Sequence, residues 1–153
     1  MRITDPNEKA PILNELPTRL LGQVALLTGR VTGDALADVG AHRHQFAVLA
    51  TLVAFDSTSQ INLCRRTDID RSDMNAALVA MEKDGYVVRR PNPESRRENI
   101  VELTDLGRLR YEDLRDRVEA AQEQALAPLS MSDRARLTRL LVTLLEHHAI
   151  PDS

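Results

Sequence analysis

The chain has 153 residues, of which 42% are hydrophobic, and its 20 basic and 23 acidic side chains give a formal net charge of −3. This length suits one domain over residues 1–153, the hydrophobic fraction is enough for a core, and no apolar run is long enough to span a membrane. The polar segment Met1 to Pro11 predicts no signal peptide, and a single cysteine excludes an internal disulfide, so we expect a cytoplasmic protein.

The first predicted helix lies within residues 11–40 and carries a long apolar stripe. Pro17 fits its first turn, where the missing N–H costs little. After a break at Gly40, a second helix is predicted over residues 43–55. The stripe of the first helix consists of Leu13, Leu16, Leu20, Val24, Leu27 and Val31, and the inward-facing residues of the second are Phe46, Leu49, Leu52 and Val53.

A short helix is predicted next over residues 59–66, followed by a tight connection over residues 67–70. Ile61 and Cys64 fall on one face of this helix. The connection leaves room only for a turn before the following helix.

That following helix has clear signals at both ends. Asp70 offers a side-chain oxygen as N-cap, Asp73 lies in the donor-rich first turn, and Gly85 is a C-terminal stop, so the helix is predicted over residues 71–84. The spacing places Met74, Ala77, Leu78 and Met81 inside and Arg71, Ser72, Asn75, Ala76 and Val79 outside. Alone this is an ordinary amphipathic surface helix. With the short helix and turn before it, the order is typical of a helix-turn-helix, whose second helix enters the major groove of DNA.

Residues 86–103 predict a two-stranded β-hairpin. A β-prone run begins at Tyr86, residues 91–93 interrupt it with two prolines and an asparagine, and residues 100–103 resume it, so we expect a loop of several residues. The loop and its flanks carry Arg89, Arg90, Arg96 and Arg97. Packing explains such a cluster poorly. It suits insertion into a narrow minor groove or contact with phosphates.

Two further helices complete the chain. Residues 104–126 predict a long charged helix, Pro128 ends it, and Ser130 or Ser132 starts the last helix. The long helix has a sparse apolar line of Leu106, Leu109, Leu114 and Val118, and the last helix has a denser stripe of Leu137, Leu140, Leu141, Leu144 and Leu145. The first and last helices thus offer more apolar surface than one small domain requires.

Over nearly its whole length the chain resembles the MarR family of bacterial transcriptional regulators, which are dimeric winged helix-turn-helix proteins. The resemblance rests on MEKDGYVVRRPNPESRR, on a strand that ends in Leu-Thr, and on Gly107 three residues later. It implies that Arg97 enters the minor groove. The family usually places an acidic residue two positions before this arginine, but here Ser95 stands there, with Glu94 beside it. Either Glu94 or another group holds Arg97, or the wing is looser.

The resemblance also implies the architecture and the partners. The fold is expected to be mainly α with a small β-hairpin wing, and the winged helix-turn-helix module to cover residues 42–103. Residues 11–40 and 104–150 are then dimerisation helices that interlock across a two-fold axis in a homodimer bound to double-stranded DNA. The alternative is that both apolar stripes pack within one monomer.

The distribution of charge agrees with a DNA-binding face in the middle of the chain. Residues 60–97 carry eight basic and six acidic side chains, a net charge of +2, whereas the rest of the chain sums to −5. Asn75 is the best candidate for a direct base contact, because its amide can pair bidentately with adenine. Ser72 and Ala76 could meet a neighbouring base or a thymine methyl, Arg96 belongs to the wing beside Arg97, and the expected phosphate contacts are Gln60, Arg65, Arg66, Arg71 and Arg90.

For the usual family effector, a small aromatic or phenolic anion, the resemblance implies a cleft between the terminal helices and the DNA-binding module. Candidate liners, chosen by position only, are Arg19, Gln23, His44 and Phe46. Cys64 is expected to be a buried inert thiol and not a redox switch. His42, His44, His147 and His148 are expected to be solvated or interface residues and not metal ligands, since adjacent histidines on a helix point about 100° apart.

Two other classes of function are an enzyme and a protein-contact module. The chain has no Gly-rich phosphate loop, no Gly-x-Ser-x-Gly, no His-Glu-x-x-His and no paired cysteines, so we expect no enzyme, no catalytic residues, no metal and no cofactor. A winged helix can also serve only as a protein-contact module. Salt dependence separates the two binding functions, because DNA binding weakens steeply as counterions compete.

Overall fold

The computed structural model describes residues 7–149. The start of the segment Met1 to Pro11 lies outside the described residues, and so does the end of the predicted segment 104–150. The elements are α1 (Pro11–Glu15), α2 (Pro17–Ala37), α3 (Arg43–Phe55), β1 (Thr58–Ser59), α4 (Gln60–Thr67), α5 (Arg71–Lys83), β2 (Val87–Asn92), β3 (Ser95–Leu103), α6 (Asp105–Ala125) and α7 (Met131–His148). The predicted fold class, mainly α with a small β wing, is confirmed. Within residues 7–149, no helix combines the length and the apolar character needed to cross a bilayer.

Side-chain caps fix the starts of four helices. Ser59, Asp70, Thr104 and Ser130 each accept a hydrogen bond from the backbone N–H three residues on, at 2.8 to 3.2 Å. Such a cap satisfies one of the backbone donors that a helix start leaves unpaired. The start predicted for α5 at Arg71 is therefore confirmed, and Ser130, not Ser132, begins α7.

The hairpin differs from the prediction in its loop. The strands run in the antiparallel order β1-β3-β2, and β2 continues through Pro91 to Asn92, which pairs with Ser95. Only Pro93 and Glu94 connect the strands, so the expected loop of several residues is wrong. Pro91 is tolerated because β2 is an edge strand, where a missing N–H breaks no inner ladder. The two-residue strand β1 was also missed, because so short a segment has no readable periodicity.

The buried core lies where α3, α4, α5 and the sheet meet. Leu63, Leu78 and Val101 are fully buried, and α2 and α6 each contribute to the same cluster through Leu36 and Leu114. The predicted inner face of α5 is confirmed, since Met74, Leu78 and Met81 are buried and Ala77 is half-buried. In α3, Leu49 and Leu52 are buried as expected, Phe46 and Val53 are half-buried, and Gln45 and Val48 are also buried.

The base of the wing is clamped by the Leu-Thr strand end and the glycine that follows it. The Thr104 hydroxyl donates to Gly85 O at 2.6 Å and accepts from Gly107 N at 3.0 Å. A side chain at Gly107 would overlap the Tyr86 carbonyl, so only glycine allows α6 to start this close to β2. These contacts set the wing against the end of α5.

The terminal helices have a different character. Leu16 is extended, as a residue before proline tends to be, so Leu13 lies in the separate helix α1 and α2 starts at Pro17. Leu27 of α2 is 59% exposed and Leu145 of α7 is 69% exposed. Leu106 and Leu109 of α6 are exposed too, although the sequence placed them on an apolar line with the buried Leu114.

Candidate nucleic-acid interface

The outer face of α5 presents the side chains that the sequence assigned to it. Arg71, Ser72, Asn75, Ala76 and Val79 are all exposed. The cap at Asp70 fixes the start of the helix, and the buried Met74 and Leu78 hold its opposite face against the core. The outer face is therefore available to another molecule.

A groove of about 230 Å³ lies beside this face, between α4, α5 and β3. It brings together four of the predicted DNA-binding residues from three elements: Gln60, Arg71, Asn75 and Arg97. Ile61, Cys64, Glu98 and Asn99 complete its lining. Two arginines and two amides thus converge on one surface although they are up to 37 positions apart in the chain.

Arg89, which had no individual role in the sequence prediction, connects this surface to the wing. Its Nη1 donates to Asn75 Oδ1 at 3.0 Å and to Gln60 Oε1 at 3.5 Å, and its Nε pairs with the Glu82 carboxylate. Strand alternation could have revealed it, because Arg89 follows the buried Val87 by two residues and so points to the same face.

The remaining arginines of the interface fall into two groups. Within residues 7–149, the side chains of Arg65, Arg71, Arg96 and Arg97 make no hydrogen bond or ion pair. Glu94 therefore does not hold Arg97; its backbone N–H donates to Asn92 Oδ1 instead. Unpaired exposed guanidinium groups are suited to bind phosphates or enter a groove without first losing a partner.

The second group already has partners. Arg90 is paired with Glu102 across the hairpin at 2.7 Å, and the Arg66 guanidinium lies 3.8 Å from the centre of the Phe55 ring. Arg90 also lines a different groove, with Asn62 and Glu94, on the side of the hairpin away from Arg89. Both residues stay predictions as phosphate contacts, and each would exchange or share an existing contact.

Known proteins are similar to this chain in sequence. A family model described as MarR family matches residues 39–98. YdgJ, an HTH-type transcriptional regulator of Bacillus subtilis, is 33% identical over 109 residues, which are 71% of this chain and 64% of YdgJ. The transcriptional activatory protein BadR of Rhodopseudomonas palustris is 27% identical over 143 residues, 91% of this chain and 81% of BadR.

The chain belongs to the MarR family. Its segment similar to YdgJ spans just under two thirds of that relative's length. The matched residues 39–98 hold the helix-turn-helix and most of the wing, which form the DNA-binding module of that family.

Solved structures share the fold. A cysteine-to-serine mutant of MarR from Escherichia coli, complexed with operator DNA, superposes with a TM-score of 0.75 at 23% identity over 90% of this chain and 99% of the other. PcaV from Streptomyces coelicolor, in complex with its natural ligand, superposes with a TM-score of 0.78 at 22% identity over 91% of this chain and 98% of the other. The order of helices and the wing are therefore common to all three chains.

The thiol of Cys64 is half-buried in the groove beside the outer face of α5. Burial raises the pKa of Cys64, and the nearby charge of Arg71 opposes that rise. Arg71 belongs to the next helix, so its charge acts on the thiol across the turn between α4 and α5. Cys64 lines the groove with Gln60 and Asn75, so a bound molecule would cover it.

The four predicted effector residues do not share a cavity. Arg19 bonds to Gln23 Oε1 at 3.0 Å along α2, and Phe46 stacks on Tyr111 of α6 with ring centres 6.1 Å apart. His44 lines a separate groove of about 540 Å³, between the start of α3 and α5, whose lining also includes Ala76. A cleft of about 430 Å³ does lie between α2 and the start of α3, but other residues line it, among them Gly29, Thr32 and Arg43.

The histidines contact each other in two pairs: the rings of His42 and His44, and those of His147 and His148, meet edge to face. His42 Nδ1 accepts from His44 N at 3.2 Å and so caps α3. Burial, then the neighbouring charges of His44 and Arg43, lower the pKa of His42. Among residues 7–149 no three histidine, cysteine or acidic side chains cluster as a metal site would require.

Proposed function

We propose that this MarR-family regulator binds a pseudo-palindromic operator as a homodimer. Each α5 would lie in a major groove and each wing in the flanking minor groove, with half-sites about 10 base pairs apart to match the helical repeat of DNA. Arg97 would enter the minor groove with Arg96 beside it, while Arg65, Arg66, Arg71, Arg90 and Gln60 contact phosphates. Binding chromosomal DNA would place the protein in the cytoplasm.

The observation that carries this proposal is the groove shared by Gln60, Arg71, Asn75 and Arg97. It lies between the recognition helix and the wing, and its two guanidinium groups are unpaired within residues 7–149. Charged donors beside amide donors form the combination that contacts both phosphates and base edges.

Support for the homodimer comes from the two ends of the chain. Val24 and Leu27 of α2 and Leu140 and Leu144 of α7 are exposed in the single chain, and α7 has no buried residue. Apolar helical faces of this kind are stabilised when a partner removes them from water, at roughly 25 cal/mol per Å². A second copy provides the same faces in a two-fold arrangement.

The regulator would act as a repressor that a small aromatic or phenolic anion releases. The ligand would change the distance between the two recognition helices, and a mis-spaced dimer loses its site without unfolding. The groove at His44 supports this mechanism, because it touches α5 directly and so couples a ligand to the recognition helix. Arg19, Gln23 and Phe46 stay predictions as further ligand contacts.

Activation is the second candidate for the sign of regulation, because the relative BadR is a transcriptional activatory protein. In vitro transcription from the bound promoter separates the two. A repressor lowers the yield of transcript as protein is added, and an activator raises it.

The first test is selection of bound fragments from the source genome, followed by affinity measured against salt for the best fragment and for a scrambled control. We expect a tight preference for a two-fold symmetric site that weakens steeply with salt, by a log–log slope of about −0.9 for each phosphate contacted. Weak binding that ignores sequence or salt would instead favour the protein-contact module. Salicylate, a small phenolic anion, is then added to the complex, and His44→Ala should reduce any release that it causes.

Asn75 gives a sharper test of the same interface. Asn75→Ala should lose about 1 to 3 kcal/mol of binding free energy on the operator and much less on random DNA. Equal losses on both would mean that Asn75 only positions the protein.

A further inference from the structure

Arg89 ties the wing to both helices of the helix-turn-helix. Its side chain is 17% exposed, and its guanidinium bonds to the Glu82 carboxylate, to Asn75 Oδ1 and, more weakly, to Gln60 Oε1. Glu82 lies at the end of α5, Asn75 near its start and Gln60 at the start of α4. One planar group therefore spans the surface that faces DNA.

This contact restricts the orientation of the Asn75 amide. A primary amide has an acceptor oxygen and a donor NH₂, whereas an arginine side chain has donors only. Turning the amide over would place its NH₂ against the Arg89 guanidinium, two donors without an acceptor. The oxygen of Asn75 is therefore held on Arg89, and its NH₂ points away from Arg89 before DNA arrives.

Glu82 makes the restriction firm. It binds Nε of the same guanidinium whose Nη1 reaches Asn75, so Arg89 is held at both sides of its planar fork. A planar fork held in this way loses little freedom for each bond formed. The orientation of Asn75 is thus set by the wing and not by Asn75 itself.

We propose that Arg89 is a positioning residue that makes Asn75 a hydrogen-bond donor and so selects guanine at the base pair that Asn75 reads. In the major groove guanine offers two acceptors, N7 and O6, whereas adenine offers an acceptor beside a donor. A bidentate pair with adenine needs the amide oxygen that Arg89 already holds. This inference rests on the proposed function, because it concerns how the same interface reads its operator.

The test measures binding to a set of operators in which each base pair is replaced in turn by the other three, at fixed salt. The position that Asn75 reads is the one at which Asn75→Ala abolishes base preference. We expect the wild type to prefer guanine there by at least about fivefold. Arg89→Met removes the donors but keeps an apolar stem, and it should shift the preference at this position toward adenine and leave the other positions unchanged.

Arg90→Met is the matched control, since Arg90 is the next residue but pairs with Glu102 on the other side of the hairpin. It should weaken binding to all operators alike and keep every base preference. The inference is wrong if Arg89→Met behaves like this control, or if the wild type prefers adenine at the position in question. Equal binding of every sequence by the wild type would contradict the proposed function itself.

A measurement without DNA tests the inference even if the wild type binds every sequence equally. The side-chain NH₂ signals of Asn75 are followed by NMR in the free protein. Arg89→Met should shift them and Arg90→Met should not; unchanged signals in both variants would overturn the inference. If Arg89→Met does not fold, Arg89→Lys replaces it, because a single ammonium cannot span Glu82 and Asn75 as the fork does.

Discussion

The segment from α3 to β3, here the α3–β3 segment, and the terminal helices are stabilised in different ways. From α3 to β3 every helix and strand contributes at least one buried side chain. Among the terminal helices, α1 and α7 have no buried residue and α2 has Leu36 alone, whereas α6 buries Gly107, Leu114 and Ala121. The α3–β3 segment is therefore completed by contacts within one chain, whereas α1, α2 and α7 leave apolar side chains exposed in the single chain.

Because of this difference, we expect the two regions to respond differently to substitutions. In the α3–β3 segment, a substitution acts on a core that is buried within one chain, so its effect appears in the free energy of unfolding of that chain. In the terminal helices, the same kind of substitution acts on a surface that is exposed in the single chain, so its effect appears in association. Paired variants can separate the two.

The largest effect is expected in the closed core. Leu78→Ala should lower the free energy of unfolding by about 2 to 5 kcal/mol, because Leu78 is fully buried and its removal leaves a cavity. Val79→Ala, one residue on and 51% exposed, should change it by less than about 0.5 kcal/mol. Denaturant titration at one protein concentration measures both. Similar losses for the two variants would mean that α5 does not bury the face described above.

The next effect concerns association. Leu144→Glu places a charge on the exposed apolar face of α7 and should convert a dimer to single chains in sedimentation equilibrium, since burying an unpaired charge is costly. Val79→Glu makes the same change on the recognition helix and should leave the mass unchanged. A dimer that survives Leu144→Glu would show that α7 lies outside the interface.

A smaller effect is expected at the wing. Arg97→Ala should lose about 1 kcal/mol of operator affinity and reduce the salt slope by about one. Arg136→Ala removes an equal charge from α7 and should change neither quantity. An Arg97→Ala protein with wild-type affinity at the same salt would remove Arg97 from the interface.

Local sequence signals were enough to predict most of the α3–β3 segment. The cap at Asp70 and the stop at Gly85 define α5 to within one residue, and the three- and four-residue spacing gives its buried face. The limits of α3 were also predicted correctly. These features depend on neighbours within one or two turns, which the sequence displays directly.

The features that the sequence did not reveal depend on distant contacts. The bond between Arg89 and Asn75 joins residues 14 positions apart, and the charge of Arg71 reaches Cys64 from another helix. The short connection at Pro93 depends on β2 being an edge strand, which only the order of the strands determines. The candidate effector residues were chosen by position in the chain, but His44 lines a groove beside α5 while Phe46 stacks on Tyr111 of α6. Tertiary geometry decides each of these points.

The smallest effect, at Cys64, tests one of these distant contacts. Burial raises the thiol pKa, so at pH 7 to 8 the folded protein should react with a disulfide reagent more slowly than the unfolded chain, because the thiolate is the nucleophile. The unfolded chain ionises first as pH rises, so this group lowers the stability of the fold above the ordinary thiol pKa of about 8.5.

Two arginine variants assign the electrostatic partner of that thiol. Arg71→Ala removes the charge that opposes the rise of the Cys64 pKa and should slow the reaction further, whereas Arg65→Ala should leave the rate unchanged. The reverse result would mean that the neighbour in sequence controls the thiol, not the neighbour across the turn. Operator DNA should slow the reaction in the wild type, since Cys64 lines the groove between the recognition helix and the wing. A thiol that reacts equally fast with and without bound operator would show that DNA leaves this groove open.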